Sequence, residues 1–224
     1  MVHGPATAPT ASTSMAVAKG VAAVILAGGE GRRMGGADKG LLEYQGYPLI
    51  EWALTALTPQ VEEVVISANR NLDAYAAYGH RVLPDTLPDF PGPLAGVLAA
   101  LDAVTADWLL VTPCDTPHLP ADLALRLLGA AQVENVPLAV AADETRVHHS
   151  CFIVRTDQHD HLAAYLARGE RAVRHWQAGL SSTTVRFDAA CFANLNRPQD
   201  LQADCIEAGR GPVSRCSGRF LHSR

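Results

Sequence analysis

The stretch LAGGEGRRMGGADKG, Leu26 to Gly40, carries six glycines together with Arg32, Arg33 and Lys39, and it follows the apolar run Val21-Ala22-Ala23-Val24-Ile25. Glycine lets backbone N–H groups come close to an anion and turn toward it, while Arg and Lys supply charge. The chemistry this suits is capture of a phosphate-bearing ligand. Two common phosphate signatures fail on inspection. A P-loop needs Ser or Thr directly after its lysine, but Lys39 is followed by Gly40; a dinucleotide fingerprint begun at Gly29 needs glycine where Met34 stands. The loop is a phosphate cradle of another design, with Arg33 and Lys39 as its candidate charge-bearing residues.

A second informative stretch is LLVTPCDTPHLP, Leu109 to Pro120. A carboxylate at the end of an apolar strand, held between prolines, is a rigid mount for a metal. Magnesium takes oxygen ligands and is commonly held by one or two carboxylates plus substrate phosphates, a role that Asp115 fits. A turn cap would use an aspartate there equally well. Cys114 with His118 suggests a nucleophile pair, but no third orienting residue is evident, and a buried cysteine at a strand end is usually inert. His148, His149 and Cys151 are a compact soft-ligand group, yet zinc would need further ligands at a recognisable spacing, and none stands out.

These residues need elements to position them. Apolar runs bounded by Gly and Pro predict strands at Val21–Leu26, Val61–Ala68, Arg81–Leu83, Asp107–Thr112, Pro137–Ala142, Cys151–Val154 and Thr183–Phe187. Helical spacing covers Pro48–Thr58, Asn71–Tyr78, Leu94–Val104, Ala121–Ala131, Asp157–Ala167 and Arg171–Ala178. Asp85–Pro93, with three prolines, reads as loop, and DETRVHHS reads as turn. Strands alternating with helices imply a largely parallel sheet covered on both faces, with ligands beyond its carboxyl edge. The loops at Gly28–Lys39, Ser67–Arg70, Asp85–Pro93 and Pro113–Pro117 would all converge there.

The chain has 224 residues, enough for one full domain, with 48% apolar and 18% charged residues and a net charge of −5. That charge gives no general attraction to nucleic acid or an anionic membrane. No apolar run reaches membrane-spanning length. Residues 1–19 read as a disordered leader without an h-region, with Met15 a candidate start, and residues 209–224 as a flexible tail with four arginines. Five cysteines without a CxxC pair fit a reduced, cytoplasmic protein.

Taken in order, LAGGEGRRMGGADKG, VVISANR, LPDTLPDFPGPLAG, TPCDTPHLP and NLNRPQDL resemble the molybdenum cofactor guanylyltransferases, from about Val21 to Leu201. The combination of the first and fourth motifs is specific; either alone indicates only nucleotidyltransferases. The resemblance implies a three-layer α/β/α, Rossmann-like domain of the nucleotide-diphosphate-sugar transferase type, expected here over residues 20–208. It implies transfer of GMP from Mg·GTP to molybdenum-bearing molybdopterin, with pyrophosphate released. By motif, Leu26, Ala27, Gly28, Lys39, Ser67, Asp85 and Asp115 would meet the nucleotide, and Asp115 would hold Mg²⁺. Lys39, Asp115 and Arg33 would be catalytic, and Gly36, Gly92, Gly96, Asn194 and Asn196 would line the pterin side. Asn194 and Asn196 also suit a simple turn before Pro198. Some relatives carry Asn at the Ser67 position and His-Pro-Thr where this chain has His148-His149-Ser150.

GTP and molybdenum-molybdopterin are therefore the expected small-molecule partners. Cofactor-insertion proteins and apo-molybdoenzymes are implied as handover partners, and a monomer is expected. The rival readings are a CTP-using sibling, a sugar-1-phosphate nucleotidyltransferase, and a non-catalytic nucleotide-binding regulator.

Overall fold

The first strand, β1 (Val21–Leu26), is small and β-branched residues with almost no exposure, as a strand covered on both faces requires. In the computed structural model, which describes residues 17–27, 38–85 and 92–195, it is an interior strand, third from one edge, of a seven-stranded sheet. A two-strand hairpin, β2 (Glu43–Tyr44) and β3 (Tyr47–Pro48), leads into α1 (Leu49–Leu57). Then come β4 (Glu63–Ser67), α2 (Leu72–Ala76), β5 (Arg81–Leu83), α3 (Pro93–Ala103) and β6 (Trp108–Pro113). The second half holds α4 (Leu123–Val133), β7 (Leu138–Ala142), β8 (Val147–Arg155), α5 (His159–Ala167), α6 (Val173–Ala178) and β9 (Ser182–Arg186).

The strand order is β5-β4-β1-β6-β8-β7-β9. All neighbours are parallel except at β8, which runs antiparallel to both β6 and β7. Residues alternate across the sheet. Val21, Ala23 and Ile25 pack under α1 and α4 with Ile50, Leu57, Leu123 and Leu127. Ala22 and Val24 face α3, α5 and α6, with Leu94, Val97, Leu162 and the fully buried Trp176. The three layers are those expected.

After β1 the chain builds outward through β4 to β5, then crosses back to place β6 on the other side of β1. The order therefore reverses between β1 and β6, and the crevice beyond their carboxyl ends is where such sheets hold ligands.

The structure departs from the sequence reading in three places. Residues 147–150 are strand, not turn: β8 begins at Val147, opposite Ala142, with a bulge absorbing the irregularity. The hairpin at 43–48 was not foreseen; Gln45 and Gly46, at φ 51° and 83°, make the two-residue turn with both central residues left-handed that twists with its strands. The expected leader, residues 1–19, overlaps the folded domain. Ala18 is buried, with its N–H on the Gln60 carbonyl at 2.8 Å. Residues 1–16, the tail 209–224, and Gly28, Arg33, Gly36 and Asn196 lie outside the described residues.

Candidate active site

Three strand ends build the floor. Leu26 lies in register with Ser67 of β4 on one side and with Pro113 of β6 on the other. Beyond them the Ala27 N–H bonds the Ser67 carbonyl at 2.9 Å, and the Cys114 N–H bonds the Leu26 carbonyl at 3.2 Å. The sheet ladder thus continues one residue into each loop, which fixes Ala27 and the Cys114–Asp115 step rigidly. Leu26, Ala27, Ser67 and Asp115 are together at one edge, as their motifs predict.

Lys39 reaches this edge from the short 3-10 turn Lys39–Leu41, and its Nζ closes on Asp115 Oδ2. The other oxygen, Asp115 Oδ1, is buried without a hydrogen-bond partner among the described residues. A buried acceptor left unmade is costly unless something else engages it. One carboxylate oxygen on an ammonium and one left without a partner is a donor arrangement that suits an oxygen-seeking divalent cation. Asp115 is not a side-chain turn cap; its backbone carbonyl instead takes the Leu195 N–H at 3.1 Å, which brings the exposed Asn194 alongside.

Asp85 sits on the far side of β4. Its backbone N–H donates to Asn69 Oδ1 and its carboxylate accepts from Asn69 Nδ2, both at 2.7 Å. Burial pushes the Asp85 carboxyl up, with the Asn69 hydrogen bond opposing. Asn69, in the VVISANR motif, is not singled out by the sequence reading as the partner of Asp85; only its residue type at a strand end could have signalled it.

Gly96 and Gly92 differ. A Cβ on Gly96 would lie 2.2 Å from Ser67 Oγ and 3.1 Å from Leu26 Cδ2, so its missing side chain lets α3 close on the two strand ends. Gly96 is a packing glycine against Leu26 and Ser67. At Gly92, ahead of α3, a Cβ would meet nothing within 4 Å among the described residues, so close packing against them does not explain it.

Cys114 is buried next to Asp115, and burial, reinforced by that carboxylate, pushes its thiol up to about 12. It is no nucleophile at neutral pH. His148 Nε2 is held by Asp143 Oδ2 at 2.9 Å, His149 by Gln177 at 2.6 Å, and Cys151 is buried in the core. Among the described residues, no three His, Cys, Asp or Glu residues form a metal-ligand group.

Residues 23–183 match the MobA-like NTP transferase domain. The molybdenum cofactor guanylyltransferase of Shewanella sediminis is 43% identical over 182 residues, covering 80% of this chain and 93% of that protein. That of Cupriavidus taiwanensis is 43% identical over 189 residues, covering 82% and 95%. The chain belongs to the molybdenum cofactor guanylyltransferase family. A crystal structure of molybdopterin-guanine dinucleotide biosynthesis protein A from Archaeoglobus fulgidus shares its fold, with a TM-score of 0.68 at 23% identity over 81% of this chain and 95% of that one. Its fold is also that of 4-diphosphocytidyl-2C-methyl-D-erythritol synthase from Anaerococcus prevotii, with a TM-score of 0.67 at 12% identity over 82% and 93%. A member of this guanylyltransferase family is a nucleotidyltransferase, and the resemblance read from the motifs is borne out. Among the described residues no helix is long and apolar enough to cross a membrane.

Proposed function

We propose that this chain transfers GMP from Mg·GTP to the terminal phosphate of molybdenum-bearing molybdopterin, forming the guanine dinucleotide cofactor and pyrophosphate. The observation that carries the proposal is the Lys39–Asp115 pair in the β1/β6 crevice, with Asp115 Oδ1 buried and unengaged. An acceptor phosphate oxygen is already an anion, so no strong base is asked of the protein. It attacks the α-phosphorus as the bond to the bridging oxygen breaks and pyrophosphate leaves with the electron pair. The difficulty lies in holding two polyanions in line and stabilising charge on the leaving group.

The chain's own residues address both. Lys39 sits where it can turn between Asp115 and a phosphate oxygen, and Arg33 adds charge in the same glycine-rich loop by sequence. Leu26, Ala27 and Gly28, with Ser67 and Asp85, form the proposed nucleotide wall, and Gly36, Gly92, Asn194 and Asn196 the pterin side. Asp115 would hold Mg²⁺. When bound, the ion supplies positive charge against the triphosphate oxygens. Gly96 serves this wall by letting Ser67 and Leu26 seat against α3.

We also assign the protein to the cytoplasm as a monomer, with cofactor-insertion proteins and apo-molybdoenzymes as recipients of the product. The test is incubation with molybdopterin-loaded carrier, Mg²⁺ and either GTP, CTP or ATP, with the dinucleotide identified by mass. A guanine dinucleotide from GTP alone supports the proposal. A cytosine product, or none with any triphosphate, overturns it in favour of the CTP-using or regulatory reading.

A further inference from the structure

The sequence Asp38-Lys39-Gly40 places an acid directly before the lysine read as a phosphate ligand. A free carboxylate there would repel a triphosphate and compete for the Lys39 ammonium. The fold turns it away. Tyr75 Oη donates to Asp38 Oδ1 at 2.5 Å, and Asn71 Nδ2 donates to Asp38 Oδ2 at 2.9 Å. Both carboxylate oxygens are thereby engaged on the α2 side, while Lys39 Nζ extends to Asp115.

Three residues maintain this arrangement. Tyr75 is fully buried in the core beneath the sheet, so its hydroxyl is aimed by packing and not by the loop. Burial, then the Asp38 hydrogen bond, raises its phenol far above the ordinary value, which keeps it a donor at every working pH. A Cβ on Gly40 would stand 2.5 Å from Tyr75 Oη, so only glycine leaves room for the hydroxyl to reach Asp38. Asn71 holds a left-handed backbone, at φ 50°, where Asn is better tolerated than most residues. The motif thus divides its labour: Asp38 is clamped, Lys39 is presented, and Gly40 makes room for the clamp.

We propose that Tyr75 and Asn71 are positioning residues for GTP binding, which sequester the Asp38 carboxylate from the triphosphate and leave Lys39 to Asp115 and the phosphates. This rests on the reading of Lys39 as a phosphate ligand. Neither residue touches the substrate; both act through Asp38.

The experiment is calorimetric titration of the full chain with Mg·GTP, without acceptor, on the wild type, Tyr75→Phe and the double variant Tyr75→Phe/Asp38→Asn. Tyr75→Phe keeps the buried ring and frees one oxygen of an anion. Its affinity for Mg·GTP should fall about tenfold, equivalent to about 1.4 kcal/mol. Adding Asp38→Asn removes the stray charge and should restore affinity to within about threefold of wild type, although the clamp is still missing. The surface variant Asn71→Gly, which keeps the left-handed backbone, should weaken binding about threefold by the loss of one hydrogen bond. Unchanged affinity in Tyr75→Phe, or a double variant no better than the single, would overturn the proposal and leave Tyr75 a core residue. A wild type that fails to bind Mg·GTP would instead overturn the functional reading on which it rests.

Discussion

Lys39 and Asp115, 76 residues apart in sequence, meet at the β1/β6 crevice, with side chains only 23% and 12% exposed. The two are unequal partners. Asp115 brings a second, unengaged oxygen into the pair, so removing the lysine leaves a buried carboxylate without its ammonium partner. Lys39→Met should therefore lower unfolding free energy by about 1–3 kcal/mol, the cost of an orphaned buried acceptor, and also weaken GTP binding. Chemical denaturation beside a GTP titration checks both. A Lys39→Met protein as stable as wild type would mean the pair contributes nothing to the fold.

Gly96→Ala places a methyl group 2.2 Å from Ser67 Oγ and 3.0 Å from Ser67 Cβ. Over-packing of this kind costs about 1–3 kcal/mol. Since the nearest contact is the hydroxyl, Ser67→Gly in the same chain should recover most of that loss, and denaturant midpoints of the two variants settle it. Equal midpoints for the single and double variants would contradict the close approach.

Asp143 and His148 give the fold an acid-side weakness. Asp143 accepts from the Thr145 hydroxyl and N–H, from the Arg146 N–H and from His148, and these bonds hold its carboxyl well below the usual range. Its contribution is complete above the ordinary carboxylate value and is lost as pH falls below it. His148 is depressed by burial from its ordinary 6.5, with Asp143 opposing. The unfolded chain then takes up the proton first, so stability declines as pH falls below about 6.5. The exposed His159 has the opposite sign: bonded to Asp160 and Asp102, it is raised, and its contribution is lost as pH rises. Denaturation of wild type against His148→Gln between about pH 5 and 7.5 isolates the buried histidine. The wild type should show the steeper loss on acidification; parallel curves would mean His148 titrates normally.

At the amino-terminal boundary, deletion through Val17 should leave the melting temperature unchanged within a few degrees, whereas deletion through Gly20 should not. The longer cut removes the buried Ala18, its bond to the Gln60 carbonyl, and the Gly20 carbonyl that accepts the Trp108 N–H at 3.0 Å. Gln60 is itself tied to the Ala56 and Pro120 carbonyls and to the Ala124 N–H. Equal melting temperatures would put the edge of the fold beyond Gly20.

Much of this was legible in the sequence, because buried strands between helices announce themselves as short apolar runs. β1 and β6 were placed to within a residue, and with them the site edge at Leu26 and Asp115. The residues that escaped are those whose meaning is relational. Nothing local in NLDAY says that Tyr75 reaches Asp38, or that Gly40 and Gly96 are small for Tyr75 and Ser67. DETRVHHS reads as turn because its polar residues suit one, and only Asp143, by holding the turn tight with its carboxylate, shows why β8 can start as early as Val147. The hairpin at Gln45-Gly46 is two residues per strand, too short for any periodicity to mark it.

The most direct measurement is pyrophosphate release across a magnesium titration, with GTP and molybdopterin-loaded carrier, for wild type and Asp115→Asn. Asparagine keeps the shape, leaves an oxygen for Lys39, and does not alter the backbone carbonyl that holds Leu195. Its melting temperature should stay within a few degrees of wild type. Turnover should fall by about a hundredfold or more at every magnesium concentration, since the anionic ligand is gone. Normal turnover by the folded variant would place the metal elsewhere and contradict the account.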